Sequence, residues 1–506
     1  MANPLYDTLF GKHAGQQTPF LWLPDGSVLT HAAFLAQTAQ FAHVFVQLGL
    51  TPGDRLAVQT EKSPEALAIY AACVQAGIVF LPLNTAYTAD EVSYFVDNSG
   101  ARLLVCDEKR KAVLRPVATV AGAALETLNA DGSGSLPEKA KVQDTGFETV
   151  DRTEDDLAAF LYTSGTTGRS KGAMLTQTNL LSNAEVLAKY WQFTDQDVLL
   201  HALPIFHTHG LFVATNITLV AGGSMIFLPK FDLDTLVRCL PDATSMMGVP
   251  TFYTRLLGDD RFTRDLVAHM RLFVSGSAPL LSETHQQFEA LTGHRILERY
   301  GMTETNMNTS NPYDGARRAG TVGFPLPGVE LKITDPANGG SLPEGEIGQI
   351  EVRGQNVFKG YWQMPEKTRE ELRADGFFIT GDLGLIDDQG YLQIVGRNKD
   401  LIISGGYNIY PKEIELVLDD QPGVLETAVI GVPHPDFGET VVGILVPEAG
   451  AEPDLVAIEE AVSKSLARFK HPRRLILIDE LPRNTMGKVQ KNVLRDRYCD
   501  LFAQKN

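Results

Sequence analysis

Apolar and polar positions along this chain switch repeatedly between two periods. Residues 31–48 place Phe34, Phe41, Phe45 and Leu48 on one helical face. Arg55 to Thr60 reads as a strand, and Ser63-Pro64 opens a helix as an N-cap followed by proline in the first turn. Val79 to Leu83 and Leu103 to Cys106 read as further strands, separated by a helix that Thr88-Ala89-Asp90-Glu91 starts as a capping box. Residues 127–153 are polar and predict a surface excursion. The rhythm resumes with strands at Ala158 to Leu161, Val198 to Leu203, Ser224 to Leu228, Met246 to Val249, Arg271 to Val274 and Arg295 to Tyr300. Helices are predicted over Ala173 to Trp191, over Asp232 to Leu240 and up to Thr292. Strands alternating with helices predict an α/β fold with mainly parallel sheets covered by helices.

From about Pro327 the pattern changes. Val329 to Ile333, Glu346 to Arg353 and Tyr391 to Val395 alternate apolar and polar between Gly/Pro turns, which predicts a small antiparallel β-barrel. Residues 401–506 mix strands and helices and are numerous enough for a small α+β domain. The expected division is a large domain over 1–397, a junction at 398–400 and a second domain over 401–506.

Composition narrows the class without naming it. With 44% hydrophobic and 21% charged residues, the chain fits a soluble globular protein. No apolar run approaches the roughly 18 residues needed to span a bilayer, and the N-terminal stretch lacks the blocks of a secretion signal. Cys73, Cys106, Cys239 and Cys499 are scattered with no CxxC pair, which argues against structural zinc or a disulfide framework and for a reducing, cytoplasmic setting. A net charge of −18 argues against nucleic acid as partner but leaves an anionic small molecule open.

The strongest chemical signal is YTSGTTGRSKG, Tyr162 to Gly172. It holds four hydroxyl side chains between Thr163 and Thr167, three glycines, Arg169 and Lys171. Glycines let backbone N–H groups turn toward an anion, hydroxyls add donors and a lysine adds charge, so the stretch predicts a phosphate cradle. It is not a P-loop, because Ser170 stands where GxxxxGK[ST] needs its second glycine. The cradle is expected in a turn from a strand into a helix.

Further stretches follow in order: FHTHG around His207, SGSAPL from Ser275, YGMTE from Tyr300, TGD at 380–382, GRNKD from Gly396 with GGYNIYPKEIE, and PRNTMGK from Pro482. Together, from about residue 20 to 495, they resemble the adenylate-forming acyl-CoA synthetase superfamily. The resemblance implies a two-step ligase. A carboxylate attacks the α-phosphate of ATP, giving an acyl-adenylate and pyrophosphate, and the thiol of CoA then displaces AMP. It also implies residue roles. Thr163, Ser164, Gly165, Thr166, Thr167, Gly168 and Lys171 resemble the pyrophosphate loop. Tyr300 resembles the residue stacked on adenine, with Gly276, Ser277 and Ala278 on the other face. Thr303 is similar to the α-phosphate ligand, and Glu304 to the ligand of Mg²⁺, a hard cation suited to oxygen donors. Asp382 and Arg397 resemble the partners of the ribose hydroxyls. Lys488 resembles the lysine that bridges carboxylate and α-phosphate, Lys399 the hinge, and Gly405, Gly406 and Tyr407 the segment that approaches CoA. The PxxxxGK spacing ending at Lys488 also resembles a stretch recognised by lysine acetyltransferases.

Arg299 bears on which acid is used. It stands just before Tyr300, beside the expected acyl pocket, where many relatives carry a small residue. A buried, unpaired guanidinium costs several kcal/mol, so it calls for a second anion, and a short dicarboxylate supplies one with bidentate geometry. ERYGMTE with FHTHGL is similar to the malonyl-CoA synthetases, which implies malonate, with methylmalonate as a further substrate. His207 and Met302 are expected at the pocket wall. The alternatives are that Arg299 pairs with Glu298 or another protein carboxylate, and that the substrate is a short-chain or aromatic monocarboxylate.

Overall fold

A computed structural model describes residues 3–163, 170–404, 407–435, 437–484 and 487–502. The chain forms two compact units, one of residues 1–330 and 352–378, the other of 331–351 and 379–506.

In the first unit, six strands run in the order Ala124–Thr127, Leu103–Cys106, Arg55–Gln59, Val79–Pro82, Leu157–Thr163, Lys171–Thr176. All neighbours are parallel except the last pair. A nine-stranded sheet places Leu297–Met302, Leu272–Ser275, Ser245–Gly248, Val198–His201, Ser224–Phe227 and Pro19–Trp22 side by side and parallel, with antiparallel strands at both edges. Helix Pro64–Ala76 is buried from Ala66 to Ala76. Its sequence is apolar on every side, as a helix enclosed by other elements requires. Ser63 Oγ caps its start at 3.1 Å from Ala66 N, and Gly77 ends it at φ 70°.

Two expected elements differ. Lys171–Thr176 is a strand rather than the start of a helix, and the helix is confined to Gln177–Tyr190. Tyr162 pairs with Gly172 and Thr163 with Lys171, so the cradle joins two antiparallel strands. Gly172 makes the pairing possible, because a Cβ there would lie 2.3 Å from the Phe160 ring. Thr176 then caps the helix reciprocally with Asn179, which fixes its true start. Likewise, the strand ending in YGMTE continues to Met302 and folds back antiparallel over Asn306–Ser310. The polar excursion contains a short helix, Ser135–Ala140, pinned by buried Leu136, Pro137 and Ala140.

In the second unit, a four-stranded sheet stands where the alternation predicts a small barrel, in the order Val329–Thr334, Gly348–Gly354, Phe378–Ile386, Leu392–Arg397. A further sheet pairs Val424–His434 with Gly438–Pro447 over almost their full length. Its two faces are separate cores, one with Val429, Val441 and Leu445 under helices Pro411–Asp419 and Leu455–Ser465, the other with Ile430, Val442 and Ile444 against Leu481 and Leu494. Successive strand residues point to opposite faces, which lets one apolar run serve both.

Candidate active site

Arg299 sits on Leu297–Met302 with 5% of its surface exposed. Its Nε and Nη2 have no hydrogen-bond partner. Burial pushes the guanidinium down to about 9, with Tyr253 opposing the shift. Glu298 does not compensate it. The Glu298 side chain points to the opposite face of the strand from Arg299, where its Oε1 lies 3.3 Å from His285 Nδ1. Room for the guanidinium comes from Gly276, where a Cβ would lie 2.3 Å from Arg299 Cζ and Nη1.

His209 completes this corner. It opens a π-helix, His209–Thr215, and is buried. Its Nδ1 lies 3.2 Å from Ser277 Oγ, its backbone N–H donates to His207 Nδ1 at 3.3 Å, and its Nε2 has no partner. Burial first, then Arg299, His207 and His201, hold its imidazole well below the usual range, so it is neutral at physiological pH. π-turns inside helices are frequent at functional sites. Among the described residues, the corner therefore offers charged and neutral N–H donors and no carboxylate partner.

Thr163, at the edge of the cradle, has its Oγ1 3.4 Å from Glu304 Oε1. Glu304 is buried in the turn between Met302 and Asn306, and Gly301 allows that turn because a Cβ there would lie 1.9 Å from Asn306 O. Tyr361 Oη donates within reach of two carboxylates, Glu371 at 2.6 Å and Glu304 at 3.1 Å. One phenolic proton cannot serve both at once, and of the two only Glu304 is buried, an oxygen donor of the kind that suits a hard divalent cation. Lys171 Nζ lies 3.1 Å from both Glu371 oxygens and 4.1 Å from the centre of the Tyr361 ring. Tyr300 is buried, while Met302 and Thr303 are half-buried beside it.

In the second unit, Asp382 is buried on Phe378–Ile386 opposite Arg397, whose Nε donates to Asp382 Oδ1 at 2.8 Å. Lys399 lies in the 3₁₀ turn Asn398–Asp400. Lys488 is exposed as a residue, yet its ammonium is pushed down to about 8, first by withdrawal from water and then by Arg397, against the pull of Asp382. Tyr407 is exposed and stacks on Phe469 at 4.7 Å between ring centres.

The family model of AMP-binding enzymes matches residues 12–362, and that of the AMP-binding enzyme C-terminal domain matches 413–488. The chain belongs to the AMP-binding enzyme family. It is 37% identical to a malonate–CoA ligase of Arabidopsis thaliana over 88% of this chain and 78% of that one. It is 34% identical to a sulfoacetate–CoA ligase of Cupriavidus necator over 94% of this chain and 93% of the other. Among solved structures, ATP-bound MatB from Rhodopseudomonas palustris shares 56% identity and a TM-score of 0.97, covering 99% of this chain and 100% of that one.

In this AMP-binding enzyme the first unit brings together Arg299, Gly276, Ser277 and His207, and separately Thr163, Lys171 and Glu304. The second brings together Asp382, Arg397, Lys399 and Lys488. Ser164, Gly165, Thr166, Thr167, Gly168, Gly405 and Gly406 lie outside the described residues. Three residues escaped sequence reasoning. His209 was indistinguishable from His207 in HTH, although alternate roles for two histidines two apart could have been weighed. Tyr361 and Glu371 carry no motif signal, and Glu371 reads as one more carboxylate of a polar helix, Pro365–Glu371.

Proposed function

We propose that this AMP-binding enzyme is an ATP-dependent malonate–CoA ligase. The observation that carries the reading is the buried Arg299 with two unpartnered donors, beside the unpartnered Nε2 of His209. One carboxylate of malonate pairs with Arg299 and accepts from His209. The other attacks the α-phosphorus of ATP. The bond to pyrophosphate breaks and malonyl-adenylate forms. The sulfur of CoA then forms a thioester at the acyl carbon as AMP leaves. The substrate carboxylate is the nucleophile, so the protein contributes positioning and charge stabilisation. The likeness to a malonate–CoA ligase and to MatB supports the same acid.

Tyr300 stacks on adenine, flanked by Gly276, Ser277 and Ala278. Asp382 and Arg397 take the ribose hydroxyls, and Thr303 the α-phosphate. The 163–168 loop and Lys171 hold the pyrophosphate, for which Lys171 must exchange Glu371 for phosphate oxygens. Glu304 would hold Mg²⁺, which neutralises phosphate charge when bound. Lys488 bridges the reacting carboxylate and the α-phosphate. Lys399 is the hinge that exchanges Lys488 for Gly405, Gly406 and Tyr407 when CoA reacts, and this places the functional boundary at 398–400. Acetylation of Lys488 would remove its charge and stop the first step.

The test is pyrophosphate release and thioester formation with ATP, Mg²⁺, CoA and a panel of malonate, methylmalonate, sulfoacetate, acetate and benzoate. Malonate should give the highest kcat/KM. Preference for acetate or benzoate would reject the reading. Sulfoacetate is the second reading, favoured by the 34% identical relative, because a sulfonate presents the same short second anion to Arg299.

A further inference from the structure

Lys62 is almost wholly buried, and no carboxylate lies among its hydrogen-bond partners. Its Nζ donates to His201 Nδ1 at 2.8 Å and to His201 O at 2.7 Å, and lies 4.1 Å from the centre of the Phe227 ring. Burial holds the Lys62 amine well below its usual range, so the tautomer is read from the other end of the ring, where the Gly210 carbonyl can only accept. The proton then sits on Nε2, which faces Gly210 O at 2.8 Å and Thr215 Oγ1 at 3.3 Å. Burial first, then Lys62, holds His201 well below the usual imidazole range, so the ring is neutral and its Nδ1 is left to accept from Lys62 Nζ.

Gly210 is the second residue of the π-helix, next to His209. Its carbonyl is not free to move. Thr215 Oγ1 also donates to it at 3.0 Å, and the backbone is pressed against Pro204, where a Cβ on Gly210 would lie 2.0 Å from Pro204 O. From Lys62, a continuous line of hydrogen bonds thus reaches the backbone that aims His209 at Ser277 and Arg299.

We infer that Lys62 is a positioning residue for the substrate's second anion: it fixes the tautomer of His201, which ties down the π-helix that presents His209. The inference rests on the malonate reading of the same corner. Without the Lys62 donor, His201 can carry its proton on Nδ1. Nε2 then faces the Gly210 carbonyl as a second acceptor, and the turn loses its anchor.

The test compares Lys62→Met, Lys62→Gln, His201→Gln and the Lys62→Met/His201→Gln pair in full-length enzyme, measuring KM and kcat for malonate and KM for ATP, with thermal unfolding as the fold control. Lys62→Met should raise KM for malonate at least about tenfold and leave KM for ATP within about twofold, because Tyr300, Thr303 and the cradle are not on this line. Lys62→Gln keeps one N–H for Nδ1 and should recover most of the loss. In the His201→Gln background, adding Lys62→Met should change little, since the relay is already broken. Equal losses for malonate and ATP, or full additivity in the pair, would show a merely structural lysine and overturn the inference. If Lys62→Met does not fold, the Lys62→Gln and His201→Gln variants decide by the same split in KM. Failure of the wild type to use malonate would instead reject the substrate reading, whatever the variants do.

Discussion

A guanidinium enclosed by Gly276, Tyr253 and His209 stays protonated at neutral pH even when burial lowers it to about 9, so its charge has to be met by a ligand. Removing it in Arg299→Ala should lower kcat/KM for malonate by about 2–3 kcal/mol, or roughly 30- to 150-fold. Turnover of acetate, which has no second anion, should fall far less, and steady-state kinetics on both acids checks the difference. Lys488 gives a pH prediction. In its proposed role it acts as a cation, and its free-enzyme value is depressed to about 8. Deprotonation removes activity, so kcat/KM for ATP in pyrophosphate exchange should decline as pH rises through about 8. Bound phosphate favours the ammonium, so the limb in kcat should lie at higher pH. Coincident limbs would place the titration on another group.

The hairpin Leu297–Met302 with Asn306–Ser310 carries both the proposed acid-recognition residue, Arg299, and the proposed metal ligand, Glu304, on one short element. Its register shifts between Tyr300 and Gly301, so Arg299 and Glu304 face different parts of the unit. Gly301→Ala drives a methyl into Asn306 O, from which a Cβ would stand 1.9 Å away. It should cost about 1–3 kcal/mol of stability, read as a lower midpoint in denaturant. Gly276→Ala acts on a different element with a different outcome. Its methyl displaces the Arg299 guanidinium, so KM for malonate should rise about tenfold, equivalent to about 1.4 kcal/mol, while the unfolding midpoint changes little. A rise in KM for ATP larger than that for malonate would mean that Gly276 acts mainly through the adenine it flanks rather than through Arg299.

At the scale of the molecule, two compact units each hold part of the expected machinery, and the two half-reactions offer a way to separate them. Lys488→Ala should abolish malonate-dependent pyrophosphate exchange. It should leave CoA able to capture synthetic malonyl-adenylate at near wild-type rate, because the proposed role confines the lysine to the first step. Loss of both activities would assign Lys488 to structure or to CoA. Lys488→Gln, which carries the neutral amide shape of the acetylated side chain, should behave as Lys488→Ala does.

Local pattern was enough for much of this protein. Period-2 and period-3.6 runs marked the parallel βα core, because burial imposes those periods on any sequence that adopts it. Ser63 and Thr88 marked helix starts for equally local reasons. Arg299 was legible because it stands just before Tyr300, where many relatives carry a small residue, and a guanidinium there calls for a second anion. The hairpin at Lys171–Thr176 was not legible, since KGAMLT fits a helix or a strand until Phe160 packs over Gly172. Lys62 was not legible either. In EKSPE it reads as a solvated lysine, and only the fold encloses it against His201, 139 residues away. The same holds for Glu371 and Lys171, which meet across 200 residues. Sequence by itself determined which groups could bind phosphate and a second carboxylate. Tertiary structure alone decided which groups lose their water and their partners, because desolvation depends on neighbours that no local stretch contains.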